Sequence, residues 1–160
     1  MSKISVLVTQ GGADAFVEAQ LPTALDGIVD RAYRVNEISF EVLTPPTGYP
    51  FGAAAAMDLE IAITRRTKAA MPNIEDVDLI KKFHFAAQVL TAVGATPIFE
   101  AAPVWQPRGG QDILIVEDPL FVQVDSTATG NAFAVRVMID YEVVAISQLD
   151  RLTLLTLSLG

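Results

Sequence analysis

The sequence predicts an all-β fold, an antiparallel β-sandwich of about eight strands with jelly-roll (Greek-key) topology and at most one or two short helices. Apolar and polar residues alternate with a period of two in many short segments, which is typical of half-buried antiparallel strands. Clusters of Gly, Pro, Asp and Asn separate these segments. The 160 residues show no break in composition, so we expect a single domain over residues 1–160. A closed barrel is the competing architecture.

Four strands are predicted in the first 66 residues, each with one apolar face. The segments end at turn-forming residues such as Gly11-Gly12 and Pro22, and at the loop of residues 44–50. The apolar residues expected to face the core are Ile4, Val6 and Val8; Val17, Ala19 and Leu21; Ile38, Phe40 and Val42; and Met57, Leu59, Ile61 and Ile63.

Residues 73–82 carry the only helical signal in the middle of the chain. Asn73 suits an N-cap, and Glu75, Asp76 and Asp78 suit the positive end of a helix dipole, so we expect one or two helical turns. The alternation of Phe83, Phe85, Ala87 and Val89 predicts the next strand. We predict an edge strand or a bent strand at residues 96–105, because Pro97 and Pro103 interrupt this segment.

Residues 117–144 contain the longest and most regular alternation in the chain. The short connection Ser126-Thr-Ala-Thr-Gly-Asn131 predicts a hairpin that pairs the last strand with residues 120–125. A Leu-rich tail follows. The residues expected inside the sandwich are Phe133, Val135, Val137, Ile139, Tyr141 and Val143, and those expected outside are Arg136, Met138, Asp140 and Glu142.

The stretch "DPLFVQVDS", the Thr- and Gly-rich turn, "AVRVMIDYEVVAIS" and the Leu-rich tail together resemble the C-terminal part of small single jelly-roll capsid proteins of tailless icosahedral viruses. The resemblance implies a coat subunit of a virion, with copies of itself and other capsid proteins as partners and with no catalytic residues. Many such coats carry a basic N-terminal arm, whereas here the first strand begins almost at once. That departure favours a shell lined by an inner membrane or by a separate basic protein.

Composition supports a protein with many subunit contacts. Hydrophobic residues make up 51% and charged residues 19%, and the mean hydropathy is +0.40, yet no run is long enough to span a bilayer. We therefore expect the apolar excess to lie in interfaces. The net charge is −8 and the Lys and Arg residues are scattered, so no direct nucleic-acid contact is expected. The absence of cysteine excludes disulfides and thiolate catalysis.

We predict no catalytic residue, no cofactor and no metal site. His84 is the only histidine, and Asp58 or Asp140 are candidate acids for a relay, but no serine has the context of a nucleophile. The pairs Asp58/Glu60 and Asp140/Glu142 are interpreted as parts of solvated strand faces. If either pair has a function, calcium binding at a subunit junction fits it better than the paired carboxylates of a glycosidase.

Aromatic residues leave open a second function, that of a carbohydrate- or ligand-binding β-sandwich module. Trp105 and Tyr49 lie in Pro-rich segments that predict exposed rings, which suit sugar stacking. Tyr33 is a further aromatic candidate, whereas Tyr141 falls on the apolar face of its strand and is expected in the core. Loop aromatics more often anchor an interface, so the coat subunit remains the favoured hypothesis.

Overall fold

The computed structural model describes residues 2–12, 14–25, 30–43, 56–88, 105–107, 112–127 and 134–157. This part of the chain forms eight strands and one helix, which confirms the predicted all-β sandwich. The elements are β1 Ser2–Thr9, β2 Val17–Leu21, β3 Arg31–Leu43, β4 Ala56–Thr64, β5 Leu79–Gln88, β6 Leu114–Ile115, β7 Leu120–Thr127, β8 Ala134–Ala145 and α1 Gln148–Leu157.

The strands form two four-stranded antiparallel sheets. One sheet has the order β1-β8-β3-β6, and the other has the order β2-β7-β4-β5. The pairing is nested along the chain, since β1 pairs with β8, β2 with β7, β3 with β6 and β4 with β5. Two further ladders, β3 with β8 and β4 with β7, join these pairs into the two sheets.

The core lies between the inner faces of the two sheets, as the alternation predicts. Phe40 and Phe83 meet edge to face across it, with ring centroids 5.5 Å apart. Ile4 and Val6 are only partly buried, because β1 is an edge strand of its sheet. Val42, Val17 and Ala19 are also partly buried against the core. The buried residues include Val8, Leu21, Ile38, Leu59, Ile61, Ile63, Ile115, Leu120, Val122 and Val124.

The predicted sidedness of β8 is correct up to Tyr141 and wrong at Val143. Val135, Val137, Ile139 and Tyr141 are buried, whereas Val143 is 50% exposed. Val143 shares the inner face, but among the described residues the pairing of β1 with β8 reaches only Tyr141, so β3 is the one described strand beside Val143. On the opposite face Arg136 and Glu142 are exposed, Met138 and Asp140 are partly buried, and Phe133 lies outside the described residues.

The predicted hairpin between β7 and β8 is wrong. β7 pairs with β2 and β4, whereas β8 pairs with β1 and β3, so the two consecutive strands lie in different sheets. Alternation specifies which side of a strand is buried, and it does not specify the sheet to which the strand belongs. The chain therefore crosses from one sheet to the other between Thr127 and Ala134.

The predicted helix at residues 73–82 is also wrong. Two tight turns occupy this segment, closed by Asp76 N–H to Asn73 O (3.1 Å) and Leu79 N–H to Asp76 O (3.0 Å), and β5 begins at Leu79. The carboxylates of Asp76 and Asp78 bind Lys68 at 2.8 and 2.7 Å instead of facing a helix end.

The helix forms in the Leu-rich tail, as α1. Ser147 caps it: the Ser147 hydroxyl accepts from the Asp150 N–H at 3.1 Å and donates to Asp150 Oδ2 at 2.7 Å. Earlier in the chain, most of the extended segment expected at residues 96–105 lies outside the described residues. Trp105 at its end forms a single bridge with Ile38 of β3.

Candidate functional site

His84 and the predicted acid Asp58 do come together, on the outer face of the β2-β7-β4-β5 sheet. His84 on β5 is paired with Glu60 on β4, and Glu60 is paired with Asp125 on β7. His84 Nε2 lies 3.4 Å from Asp58 Oδ1, and both side chains are more than half exposed. These residues line a shallow recess of about 220 Å³.

Among the described residues that line the recess, the serine is not placed as the nucleophile of a relay. Ser126 is the serine that lines it, but its hydroxyl accepts a hydrogen bond from Gln10 Nε2 at 2.8 Å and the residue is buried. Glu60 pairs with Lys82 at 3.0 Å. The recess therefore contains a solvent-exposed pair, His84 and Asp58, next to Glu60, whose charge is balanced by Lys82.

The second predicted carboxylate pair forms ion pairs within the chain, on the outer face of the other sheet. Asp140 lies 3.9 Å from Lys3, and Glu142 pairs with Arg34. Asp140 is thus remote from His84 in the fold, since the two residues belong to different sheets. Among the described residues, no three His, Asp or Glu side chains converge in a way that could hold a metal ion.

Two of the aromatic candidates, Tyr33 and Tyr141, contact each other within the fold. The rings of Tyr33 and Tyr141 stack with centroids 3.9 Å apart, and the Tyr33 hydroxyl donates to Thr23 O. Burial raises the pKa of Tyr33 to about 12, with further contributions from the hydrogen bond and charge of Tyr141 and from the charge of Asp118.

Trp105 is not the exposed loop ring that the sequence predicts. It is partly buried against the core, exchanges two backbone hydrogen bonds of 2.9 Å with Ile38, and lies 5.3 Å beneath the Lys81 ammonium. Tyr49 lies outside the described residues.

A polar network holds residues 65–78 over the outer face of the β2-β7-β4-β5 sheet. Gln123 is fully buried and its Nε2 donates to Glu18 Oε2 and to Thr64 Oγ1, each at 2.7 Å. Glu18 Oε2 also accepts from the Lys68 N–H at 2.8 Å, and the Lys68 ammonium binds Asp76. These hydrogen bonds connect the segment to β2, β4 and β7. Because several of the groups are buried, breaking the bonds would leave polar atoms without a partner.

The titration of this network follows from its contacts. Burial by itself would lower the pKa of Lys68, but hydrogen bonds to Asp76 and Asp78 outweigh burial and raise the pKa above its ordinary value of 10.5. The hydrogen bond from Lys68, then that from the Asp78 N–H, lowers the pKa of Asp76 below its ordinary value of 3.8.

Several large apolar side chains lie on the surface. Ile74 and Val77, in the 74–77 turn of that segment, are 83% and 58% exposed. Leu149 and Leu152, one turn apart on α1, are 74% and 61% exposed. Leu7 on the edge strand β1 is 50% exposed. Apolar surface of this kind marks contacts with partners when it is concentrated in a few elements.

A cavity of about 390 Å³ lies between α1 and the turn that leads into β7. Arg65 and Arg151 line it together with apolar side chains, and we call it the arginine cavity. Its carboxylates have partners within the chain: Glu117 lies 2.9 Å from Arg65 Nε and accepts from the Val116 N–H, and Asp118 accepts from the Thr23 N–H. The lining residues are Leu25, Arg65, Val116, Glu117, Asp118, Pro119, Phe121, Arg151 and Leu155.

Arg151 is the least satisfied group of the arginine cavity. Its Nη2 makes a long hydrogen bond of 3.4 Å to Val116 O, and its buried Nη1 has no hydrogen-bond partner in the described part of the chain. No carboxylate of the described residues pairs with it. Arg151 is partly buried, and a buried guanidinium nitrogen without a hydrogen-bond partner is costly unless an acceptor such as an anion joins it. Sequence reasoning missed Arg151, because nothing in the Leu-rich tail distinguishes it from a solvated helix residue.

No protein-family model matches the chain, and no curated protein matches it. Within the described ranges, the single helix is too short and too polar to cross a bilayer.

Proposed function

We propose that this chain is a structural subunit that self-assembles, with copies of itself and with other capsid proteins, into the icosahedral shell of a virion, without catalysis. The observation that carries the proposal is the nested pairing of eight strands wound over two sheets. That pairing supports a jelly-roll topology, and viral capsid proteins are among the main users of this architecture. The family resemblance of the last two strands and the tail agrees with it.

The surface of the subunit supports assembly. Exposed Leu and Ile side chains on α1 and on the 74–77 turn need cover from partners, in keeping with the 51% hydrophobic composition. The outer face of the β1-β8-β3-β6 sheet differs, since its charges pair across strands, as in Arg136 with Glu41 at 3.0 Å. Exposed pairs of this kind add little stability and keep a face soluble.

The charges bear on what the shell encloses. Many of the Lys and Arg residues form ion pairs with acids of the same chain, among them Arg34, Arg65, Lys68, Lys82 and Arg136. Cations used in this way are not available to release counterions from a nucleic acid. We therefore propose no direct contact with the genome, and an inner membrane or a separate basic protein beneath the shell.

The carbohydrate-binding alternative has less support. Trp105 is the only tryptophan, and its ring is partly buried beneath Lys81. The alternative predicts that its fluorescence responds to a panel of glycans while the protein stays monomeric.

Sedimentation velocity or light scattering of the purified protein tests the proposed function. We expect trimers, pentamers or larger assemblies at micromolar concentration, because the exposed apolar side chains gain by burial between copies. A soluble monomer that persists at high concentration would contradict the coat hypothesis. A Trp105 response to a glycan in that monomer would favour the alternative.

A further inference from the structure

The 74–77 turn has the chemistry of a docking segment. Ile74 and Val77 project into solvent, and Glu75 between them is exposed as well. A carboxylate flanked by two exposed apolar side chains combines charge and apolar area on one short turn. The turn is also held in place, because Asp76 pairs with Lys68 and hydrogen bonds close the backbone on either side. A preorganised turn loses little conformational entropy when it binds.

The arginine cavity has the complementary chemistry. Leu25, Phe121 and Leu155 supply apolar wall, and Arg151 supplies a guanidinium that has no carboxylate partner among the described residues. A volume of about 390 Å³ lies at the lower end of ligand pockets, which are roughly 300–1,000 Å³. Such a space admits the one or two side chains of a short turn.

We propose that the 74–77 turn of one copy docks into the arginine cavity of a second copy, with the Glu75 carboxylate binding Arg151 and with Ile74 packing against the apolar wall. The inference rests on the proposed function and names one of the contacts through which the subunits associate. The guanidinium of Arg151, which has no carboxylate partner among the described residues, gains an anion, and Ile74 loses its contact with water. The contact is heterologous, since turn and cavity are different surfaces, and repeated contacts of this kind form a ring when the rotation between copies closes.

A matched pair of charge-neutralising variants tests the contact. Glu75→Gln removes the docking carboxylate, whereas Glu41→Gln makes the same change at an exposed glutamate on the other sheet. We expect Glu75→Gln to raise the dissociation constant of self-association about tenfold or more, and Glu41→Gln to change it less than about twofold. Sedimentation equilibrium measures both, and neither substitution alters a buried residue.

A charge exchange tests the same pair of residues directly. Glu75→Arg and Arg151→Glu each place like charges in the contact, so each variant alone should associate weakly. Mixing the two folded variants places Arg at position 75 opposite Glu at position 151 in the other copy and should restore association. Circular dichroism checks the folding of Arg151→Glu, and the Glu75→Gln comparison stands by itself if that variant does not fold.

The outcomes separate this contact from the proposed function. If the wild-type protein associates but Glu75→Gln behaves as Glu41→Gln does, the contact is overturned and the coat function stands. A wild-type protein that stays monomeric overturns both. If octanoate, as a free alkyl carboxylate, binds the wild type but not Arg151→Gln, and Glu75→Gln still associates normally, the cavity belongs to a small acid and the contact is overturned.

Discussion

Replacing Val137 by alanine is expected to destabilise the protein far more than the same change at Val143. Both residues lie on the inner face of β8, but Val137 is 1% exposed and Val143 is 50% exposed. The comparison holds the residue type, the strand and the face constant. It therefore isolates the effect of burial at the two positions.

The expected magnitudes follow from burial. Val→Ala deletes two carbons, which are worth about 1.6 kcal/mol when fully buried, at about 0.8 kcal/mol each. At Val137 the unfilled space adds a cavity term and brings the loss in the free energy of unfolding to roughly 2–3 kcal/mol. At Val143 about half of the transfer free energy applies and solvent fills the space, so the loss is at most about 0.8 kcal/mol.

Thermal unfolding followed by circular dichroism distinguishes the two variants. For a chain of this length, each kcal/mol lost from the free energy of unfolding lowers Tm by about 2–4 °C. Val137→Ala should therefore lower Tm by roughly 4–12 °C, and Val143→Ala by about 3 °C or less. Protein concentration must be equal and low, because self-association raises Tm by mass action. Equal losses at the two positions would refute the conclusion that the core ends at Tyr141.

Three other expectations follow from the polar groups. Gln123→Leu should lower the free energy of unfolding, measured in urea, by about 1–3 kcal/mol, because Glu18 and Thr64 lose the hydrogen bonds that the amide donates. Gln20→Leu, on the exposed face of β2, should leave that free energy nearly unchanged. Because the pKa of Asp76 is lowered in the folded protein, its carboxylate stabilises the fold above pH 3.8, and this contribution is lost as pH falls through the folded pKa. Asp76→Asn should therefore reduce the fall in the free energy of unfolding at acid pH. An unchanged fall would contradict the ion pair of Asp76 with Lys68. Ultraviolet titration should show a tyrosine ionising near pH 12 that Tyr33→Phe removes, and loss of stability should follow as pH rises from 10 through that value.

Much of the fold could be predicted from the sequence, because burial in a strand repeats every second residue. The inner residues of β8 from Val135 to Tyr141 follow from alternation alone. The end of the pairing with β1, which among the described residues reaches Tyr141, does not follow from alternation, and for that reason the prediction for Val143 is wrong. The partner of β8 was also wrong, since a short polar connection between two strands serves a hairpin and a crossing between sheets equally well.

The helix shows how tertiary contacts and local signals compete. Glu75, Asp76 and Asp78 resemble the acidic start of a helix. However, Lys68 binds the carboxylates of Asp76 and Asp78, and the segment forms turns. The observed helix start does have a sequence signal, the Ser147-x-x-Asp150 spacing of a capping box.

At the candidate site, His84 and Asp58 lie close together, and the alternation in their strands predicts that both side chains face outward. The arginine cavity could not be foreseen, because it joins residues from four separate segments.

Electron microscopy of the purified protein tests the central claim most directly, that this subunit exists to assemble. Negative-stain images of the wild type at micromolar concentration, compared with Glu75→Gln at the same concentration, show whether ordered oligomers form and whether the 74–77 turn contributes to them. The proposed function predicts rings or closed shells of uniform size for the wild type. Fields of single particles of about 17 kDa, matching the mass of one chain, would contradict it.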